Sequence, residues 1–483
     1  MTGPRRVLYS PATILSGLFL VSLALRLPGL GAYPPSGDEA LHLQPLSWAD
    51  TWNFDLFANP PLFRLLVQAL AHVDRSLAVT RLLSACAGAL TVPLLYILAR
   101  FYHSRILAFL PALLLAFHPW HIRHSQTLRS YTLLTLLLVV SLGCSLASLQ
   151  APRKKSRKVL SSIHFIAIVL ACATHYLAVL YLAAECLLVF FSGSKRSALI
   201  AFGTALLTTV SIAGIGLLSG ISHKLTAGAS GSSALIHLFW LDTVRCLFTP
   251  GGLSLLCALV LFLFGCILQR RNFLWIPIVI PLLAISAGGL VIPVEVRYCL
   301  PVLPIALLHL AMGFRWSWSR FGPTIRWLGA IGMTLTVAGL VFPLSACYQA
   351  ATNQLPAQRL HRDLAHVDYD IRPLLPSLRD QIGDHPTILL IANDHLQHRL
   401  IVELNNGHYP EDADIREKDD TFKVETTDLL LVRTADCRNP ISEYNSMILM
   451  SPSVDCPAPA NCIQTARHNG ASLWSCQQTE VSP

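Results

Sequence analysis

Apolar residues in this 483-residue chain occur in runs of about 20, separated by short basic or Pro-rich segments. This is the length at which a helix crosses the hydrocarbon core of a bilayer. The runs are continuous in Leu, Ala, Val and Ile and do not alternate, which favours helices over the strands of a barrel. The predicted fold is therefore an all-α polytopic membrane protein with about eleven transmembrane helices. The predicted spans are residues 12–30, 78–99, 105–118, 130–149, 159–173, 175–192, 198–219, 250–268, 273–292, 298–313 and 327–347.

Composition supports the membrane class. The chain is 53% hydrophobic and 13% charged, with a mean hydropathy of +0.53, whereas about a quarter of residues are charged in soluble proteins. The first apolar run exceeds a signal-peptide core and ends in Arg-Leu-Pro-Gly rather than in a small-residue cleavage site, so we expect it to remain as the first span. No internal repeat is visible.

The net charge of +9 does not indicate nucleic acid, because Lys and Arg lie beside the apolar runs rather than on one amphipathic face. With Arg5 and Arg6 cytoplasmic, every second junction should be basic under the positive-inside rule. This predicts a multi-pass protein of the inner or plasma membrane with a cytoplasmic N-terminus. The basic junction residues are Arg100, Arg105, Arg153, Lys154, Lys155, Arg157, Lys158, Lys195, Arg196, Arg270, Arg271, Arg315, Arg320 and Arg326.

An odd number of spans places the segment 349–483 outside the cytoplasm, where thiols oxidise. Helix-like residues 357–382 and strand-like runs beginning at Thr387 and Asp428 predict a small α/β cap, distinct from a transmembrane domain over 1–348. The segment has an even set of cysteines, which allows three pairings and predicts two disulfides. These cysteines are Cys437, Cys456, Cys462 and Cys476.

The first outer loop, residues 31–77, places Asp38 and Glu39 just after the first span. One interpretation is a helix cap, with Asp at the N-cap and Glu in the first turn. The other is a partly desolvated carboxylate with a raised pKa that takes a proton from an acceptor. The loop then carries aromatic residues suited to interfacial helices lying on the membrane. These are Trp48, Trp52, Phe54 and Phe57.

The second outer segment runs from His118 to Tyr131 and is rich in hydrogen-bond donors, Arg123 among them. Arg129 is predicted about one turn inside a membrane helix, where a cation either snorkels to the surface or binds an anion. His118, His121 and His124 have i, i+3, i+6 spacing, for which we favour hydrogen bonding over a metal, because a metal triad needs convergent geometry.

Two further outer junctions have similar chemistry, Thr-His-Tyr at residues 174–176 and Pro-Val-Glu-Val-Arg-Tyr at 293–298. They contribute His175, Arg297 and Tyr298. Arg297 is either a partner of Glu295 in a structural ion pair or a phosphate ligand, since a guanidinium fork matches phosphate oxygens.

Together these motifs resemble the polyprenyl-phosphate-sugar-dependent glycosyltransferases of the GT-C superfamily. They are Asp-Glu-Ala after the first span, Asn59-Pro-Pro-Leu-Phe, Pro-Trp-His-Ile with Arg-Ser-Tyr-Thr-Leu-Leu, Thr-His-Tyr and Arg-Tyr-Cys-Leu-Pro. The resemblance is to the bacterial branch related to protein O-mannosyltransferases, aminoarabinose transferases and rhizobial lipopolysaccharide-core transferases. It covers about residues 1–345 and rests on the order of the motifs and their shared outer side.

The resemblance implies inverting transfer of one sugar from a polyprenyl-phosphate carrier to a lipid, glycan or protein acceptor at the outer face. It implies no cofactor and no metal requirement, without excluding a divalent ion. By position, Asp38, with Glu39 beside it, matches the acidic pair that acts as general base. Arg129 and Arg297 match basic positions near the lipid phosphate. The other residues implied in substrate binding are Asn59, Arg123, Tyr131, His175, Glu295 and Tyr298.

Three positions depart from the family pattern. Asn59 stands where the family has His before the Pro-Pro pair, and Asn does not titrate. Thr127 stands where the family has Glu in a Ser-Gln-Glu-x-Arg run, so a second acid is absent or comes from elsewhere. The cysteine-bearing tail is not diagnostic of a branch.

Two other classes share the polytopic pattern. A transporter or lipid flippase would show repeated halves and charges near the midplane, whereas the charges here collect at one face. A non-catalytic membrane subunit would leave the acidic pair and the helix-start arginines without a use.

Overall fold

The computed structural model contains a helix within each of the eleven predicted spans, in the part of the chain that it describes. It describes residues 11–31, 39, 42–43, 59–192, 195–218, 240, 243–244, 246–248, 252–268, 273–288, 296–320, 323–351, 376, 387–391, 421–424, 429–433, 445–450, 462–468 and 471–476. The helices are α1 (Pro11–Ala24), α2 (Leu62–Ala71), α3 (Leu77–Ala99), α4 (Phe109–Ala116), α5 (Pro119–Ser125), α6 (Tyr131–Gln150), α7 (Lys154–Thr174), α8 (Ala178–Phe191), α9 (Lys195–Leu218), α10 (Gly252–Leu268), α11 (Ile276–Gly288), a 3-10 helix (Val296–Val302), α12 (Leu303–Arg320) and α13 (Pro323–Ala351).

The observed bounds of α4 and α7 show two ways in which the helices differ from the predicted spans. Helix α4 has only 8 residues, about 12 Å of rise, so it is shorter than the predicted span 105–118; Pro119 stops the apolar helix and starts α5. Helix α7 begins at Lys154 rather than at 159. Its first turns are built from the basic run, because Lys and Arg are good helix formers.

Four helical stretches within the described residues are long and apolar enough to cross a membrane: Leu77–Ala99, Tyr131–Gln150, Lys154–Thr174 and Val296–Trp318. Val296–Trp318 is almost entirely buried inside the helical bundle. The outward faces of α7 and α9 instead expose large apolar side chains such as Ile166 and Leu207. Such surfaces require lipid, so the chain is a multi-pass membrane protein.

Small residues allow close packing between α10 and α12. A Cβ at Gly265 would collide with the backbone carbonyl of His309, and one at Gly313 would collide with that of Leu261. Because apolar burial gives little driving force between helices in lipid, such backbone approach is how membrane helices gain contact. This contact holds the buried helix α12, and the 3-10 helix that precedes it, in place.

The chain forms two compact units. The first comprises Met1–Pro28, Leu46–Leu66 and Arg81–Tyr348, and the second comprises Gly29–Pro45, Val67–Thr80 and Gln349–Pro483. In the second unit, Asp74 accepts hydrogen bonds from the backbone N–H and the hydroxyl of Ser76, at 2.8 and 2.9 Å. Asp74 therefore has a structural role as a local cap just before α3.

The second unit also contains a six-stranded mixed sheet of order β2-β3-β1-β4-β6-β5. Strand β1 is parallel to β3 and β4, and the other pairs are antiparallel. The two strands expected after Thr387 and Asp428 are confirmed as β1 and β3. The predicted helix at 357–382 lies outside the described residues except for residue 376. The strands are β1 (Thr387–Ile391), β2 (Thr421–Val424), β3 (Leu429–Arg433), β4 (Asn445–Met450), β5 (Cys462–His468) and β6 (Ala471–Cys476).

Candidate functional site

Three of the predicted outer junctions meet at one place in the first unit. The rings of Tyr131 and His175 lie 5.3 Å apart between centroids, and Tyr298 lies 6.0 Å from Tyr131 and 6.3 Å from His175. The ring of His124 packs edge-on to Tyr131 at 6.0 Å. Segments about 170 residues apart in sequence therefore build one aromatic and imidazole cluster.

Arginines surround this cluster. The guanidinium carbon of Arg297 lies 5.8 Å from the centre of the Tyr131 ring, within cation–π range. Arg123, Arg129 and Arg297 all act electrostatically on His124, and Arg129 and Arg297 also act on His175. The structure thus brings the three predicted binding arginines together around His124.

The histidines of the cluster are held neutral. Burial first, and then the positive charges of Arg297 and Arg129, lower the pKa of His175 from 6.5 to about 3. Burial and the fields of Arg297, Arg123 and Arg129 hold the pKa of His124 well below 6.5. The positive potential therefore comes from the guanidinium groups, and the neutral imidazoles add hydrogen-bonding capacity without adding repulsion.

Helix α5, which carries Arg123 and His124, is held in place by hydrogen bonds from Arg26. Its Nη2 lies 2.8 Å from His121 Nδ1, its Nη1 donates to Ser22 Oγ at 2.6 Å, and its Nε donates to Ser125 Oγ at 3.2 Å. All three groups are fully buried or nearly so. Because a guanidinium only donates, His121 Nδ1 accepts this hydrogen bond.

The turn after α5 is also pinned by hydrogen bonds. Gln126 Nε2 donates to the carbonyls of Arg26 and Pro28 at 3.2 and 2.8 Å. Thr127, where the family pattern has Glu, donates from its hydroxyl to the His124 carbonyl at 2.9 Å. Thr127 therefore satisfies a carbonyl at the C-terminal end of α5 and supplies no acid.

Arg129 does not lie inside a helix, so that expectation is wrong. Helix α6 begins at Tyr131, and Arg129 lies in the bend before it, where its carbonyl accepts a hydrogen bond from Ser84 at 3.2 Å. The bend exists because the chain must turn from the short helix α5 into α6. Arg129 is half-buried, at the edge of the cluster.

Asn59 contributes its backbone to a neighbouring contact. Its carbonyl accepts a hydrogen bond from Arg64 Nη2 at 3.2 Å. Arg64, on α2, also interacts electrostatically with Tyr176, the residue after His175. The Asn-Pro-Pro motif thereby helps place a further arginine beside the His-Tyr junction.

Asp38, the predicted general base, and Glu295, the predicted partner of Arg297, lie outside the described residues. Glu39 is described and buried, in the second unit. The general-base and ion-pair hypotheses therefore remain predictions. Within the described residues, no group of three His, Cys, Asp or Glu side chains has metal-binding geometry.

Arg26, Arg64 and Trp120 also contact the site residues, although no sequence pattern assigned them a role. The ring of Trp120 packs against His124 at 5.4 Å. Arg26 stood inside a predicted span, and an Arg at such a depth is a functional or structural signal by itself. Arg64 follows Asn59-Pro-Pro by three residues, yet nothing in the sequence indicates that it reaches Tyr176.

Comparison with solved structures assigns the fold. The chain matches the crystal structure of ArnT from Cupriavidus metallidurans in the apo state with a TM-score of 0.61 and 15% identity, covering 98% of this chain and 100% of that one. It matches ArnT of the same organism bound to undecaprenyl phosphate with a TM-score of 0.59 and 16% identity, over 98% and 100%. An Archaeoglobus fulgidus oligosaccharyltransferase matches with a TM-score of 0.47 and 14% identity, over 81% and 61%.

No protein-family model matches the chain, and no curated protein matches it in sequence. The chain is a helical, multi-pass membrane protein. Among the structures compared, it has the fold of ArnT over nearly the full length of both chains.

Proposed function

We propose that this protein is an integral-membrane glycosyltransferase that moves a single sugar from a polyprenyl-phosphate carrier to an acceptor at the outer face of the membrane. The observation that carries the proposal is the convergence of Arg123, Arg129 and Arg297 on His124, with Arg129 and Arg297 also acting on His175. These residues come from three separate junctions, which the basic-residue pattern assigns to one side of the membrane.

The cluster suits a phosphate. Guanidinium groups bind phosphate oxygens bidentately and keep their charge when partly buried. Buried donors are also available beside them: Trp120 Nε1 and the Tyr176 hydroxyl have no hydrogen-bond partner in the described part of the chain. A phosphate oxygen would satisfy such donors, and each that stays unsatisfied costs about 1–3 kcal/mol.

The ArnT fold supports the carrier class. ArnT of Cupriavidus metallidurans has been solved with undecaprenyl phosphate bound. By analogy of fold we assign the same class of carrier to this chain, and we assign its phosphate to the arginine cluster. The analogy does not extend to the sugar or to the acceptor, which depend on pockets that the fold does not define.

The chemistry is a direct displacement. An acceptor oxygen or nitrogen attacks the anomeric carbon, its proton passes to the Asp38 carboxylate, and the bond from the anomeric carbon to the phosphate oxygen breaks. The carrier leaves as a phosphate with one more negative charge. One displacement inverts the anomeric carbon. The arginines stabilise the developing charge, so the leaving group needs no general acid.

The topology belongs to the same proposal. We propose eleven spans in an inner or plasma membrane, with the N-terminus in the cytoplasm. This topology places the arginine cluster and the sheet-containing segment 349–483 on the non-cytoplasmic side. We also propose that transfer needs no metal, since the arginines supply the charge that a divalent ion would otherwise supply. Chelation with EDTA should therefore leave transfer intact.

Carrier binding is tested with the purified full-length protein in detergent. Undecaprenyl phosphate should bind saturably by native mass spectrometry, and undecaprenol, which has no phosphate, should not. Replacing Arg129 or Arg297 with Gln should weaken binding at least about tenfold, because a charged hydrogen bond contributes about 1.5–3 kcal/mol. Arg105→Gln, an exposed arginine of a predicted cytoplasmic junction, is the matched control.

Equal binding by wild type and by both variants would overturn the phosphate assignment. Saturable binding accompanied by movement of the carrier between leaflets of a vesicle, with no sugar transfer to any acceptor, would favour the flippase reading instead.

A further inference from the structure

A second polar site lies within the helical bundle, away from the arginine cluster. Residues of α6, α7, α8 and α9 line a cavity of about 300 Å³. It reaches Ser145 and Ser148 on α6, which lie 14 and 17 residues beyond Tyr131, or about 21 and 25 Å along the helix. The cavity is lined by Ser145, Ser148, Ser161, His164, Glu185 and Cys186, among others.

Glu185 is the acidic residue of this cavity. It is 4% exposed and lies in the middle of α8. One carboxylate oxygen, Oε2, accepts a hydrogen bond from Ser141 Oγ at 2.9 Å. The other, Oε1, has no hydrogen-bond partner in the described part of the chain, although His164 Nδ1 lies 3.5 Å away. A carboxylate inside a membrane bundle requires a compensating group.

One ring nitrogen of His164 already has a hydrogen-bond partner. Nδ1 lies 3.1 Å from the Ser141 carbonyl oxygen, which can only accept. Nδ1 therefore carries a hydrogen, and in the neutral imidazole the other nitrogen is an acceptor. The imidazole thus adds an acceptor to the same cavity as the Glu185 carboxylate.

In the part of the chain that the structure describes, the cavity wall is rich in hydrogen-bond acceptors. Its described polar residues are one carboxyl group, one imidazole and three serine hydroxyls, with no Lys or Arg among the described lining residues. The volume is about ten times the share of one water in the liquid, so a small organic group fits. A ligand that donates several hydrogen bonds and carries a positive charge would satisfy every group.

We propose that this cavity binds a primary ammonium group, with Glu185 as its counter-ion and with His164 and the serine hydroxyls accepting its hydrogens. The ammonium belongs either to a small free amine or to the headgroup of an aminophospholipid, since both present the same three-donor cation. The site is independent of the proposed carrier site and of the transfer reaction.

The test uses the full-length protein in detergent that contains no aminophospholipid. Ethanolamine should raise the thermal unfolding midpoint saturably, by a few degrees at concentrations well above its Kd. Choline, whose ammonium has no hydrogens, and glycerol, which has no charge, should not. In Glu185→Gln the ethanolamine shift should be lost, and in Arg105→Gln it should persist.

Because Glu185→Gln perturbs a buried hydrogen bond, Ser161→Leu gives a second variant that fills the cavity and leaves the carboxylate in place. It should also lose the shift. An ethanolamine shift that persists in both variants, or one that choline reproduces, would overturn the proposal, as would the absence of any shift in the wild type.

Lipid nanodiscs separate the two sources. Native mass spectrometry after release from discs of mixed phosphatidylethanolamine and phosphatidylcholine should show phosphatidylethanolamine retained by wild type and lost in Glu185→Gln if the group is a lipid headgroup. No lipid retention, together with the ethanolamine shift, would assign the site to a free amine.

Discussion

Arg26 Nη2 and His121 Nδ1 lie 2.8 Å apart, joining the end of α1 to the short helix that carries Arg123 and His124. Arg26 is fully buried and also reaches Ser22 Oγ and Ser125 Oγ. Without a carboxylate among these partners, the guanidinium is held by hydrogen-bond acceptors alone. The first helix therefore determines where the candidate phosphate site sits.

Replacing Arg26 with Met should destabilise the protein by about 2–4 kcal/mol, because it leaves buried acceptors without donors. Thermal unfolding in detergent measures the change, and carrier binding should weaken in parallel as α5 shifts. Arg26→Lys keeps the charge but loses the forked donor geometry of the guanidinium, so its unfolding midpoint should lie between those of wild type and Arg26→Met. An unaltered unfolding midpoint in Arg26→Met would show that α5 does not depend on this contact.

Gly88, on α3, makes room for the same network. A Cβ at this position would collide with the Ser125 hydroxyl and approach Arg26 Nε to 3.2 Å. We expect Gly88→Ala to cost about 1–3 kcal/mol of stability through overpacking. Gly143→Ala on α6 is the matched control, because nothing lies within 4 Å of its Cβ, and it should be neutral or slightly stabilising. Equal effects of the two changes would contradict the packing argument.

The sequence predicted the helices, and the outer junctions that share one site, better than it predicted the buried hydrogen bonds that hold helix α5 in place. Apolar run length located a helix in each predicted span, since the length of such runs follows from the thickness of the bilayer. The pairing of Arg26 with His121 is a contact across 95 residues, and no local pattern encodes it. The bend at Arg129 was missed for a related reason: Pro119 signals the start of α5, but its end depends on the tertiary contacts of Gln126.

The buried histidines make stability depend on pH. His175 has a pKa of about 3 in the folded protein and 6.5 as the reference for the unfolded chain. Below pH 6.5 the unfolded state therefore binds a proton that the folded state does not, and stability falls as the pH drops towards 3. The slope approaches about 1.4 kcal/mol per pH unit for this one group. His175→Gln should flatten the profile of unfolding midpoint against pH, and an unchanged profile would contradict a neutral, buried His175.

The base hypothesis is tested at Asp38. With sugar transfer from a labelled polyprenyl-phosphate sugar to endogenous acceptors in membranes as the assay, Asp38→Asn should reduce the rate about 10²–10⁴-fold, the usual contribution of a general base. Carrier binding should persist, because the arginines are untouched. Asp74→Asn is the control, since Asp74 caps α3 through Ser76, and it should retain transfer. Full transfer by Asp38→Asn at wild-type protein levels would remove Asp38 as the base and direct attention to Glu39.

The strand register of the sheet predicts which of the three possible disulfide pairings forms. Cys462 on β5 and Cys476 on β6 are register partners in an antiparallel pair. Directly opposed residues have Cα atoms about 4.5–5.5 Å apart, within the range that a disulfide bridges. A disulfide-bearing oxidant of the outer compartment would take two electrons as the two thiols lose their protons, leaving Cys437 and Cys456 as the other pair. Peptide mapping without reductant, after alkylation of the native protein, should recover the peptides of Cys462 and Cys476 linked. Linkage of Cys462 to Cys437 or Cys456 would contradict the register, and complete alkylation of all four thiols would contradict an extracytoplasmic location for residues 349–483.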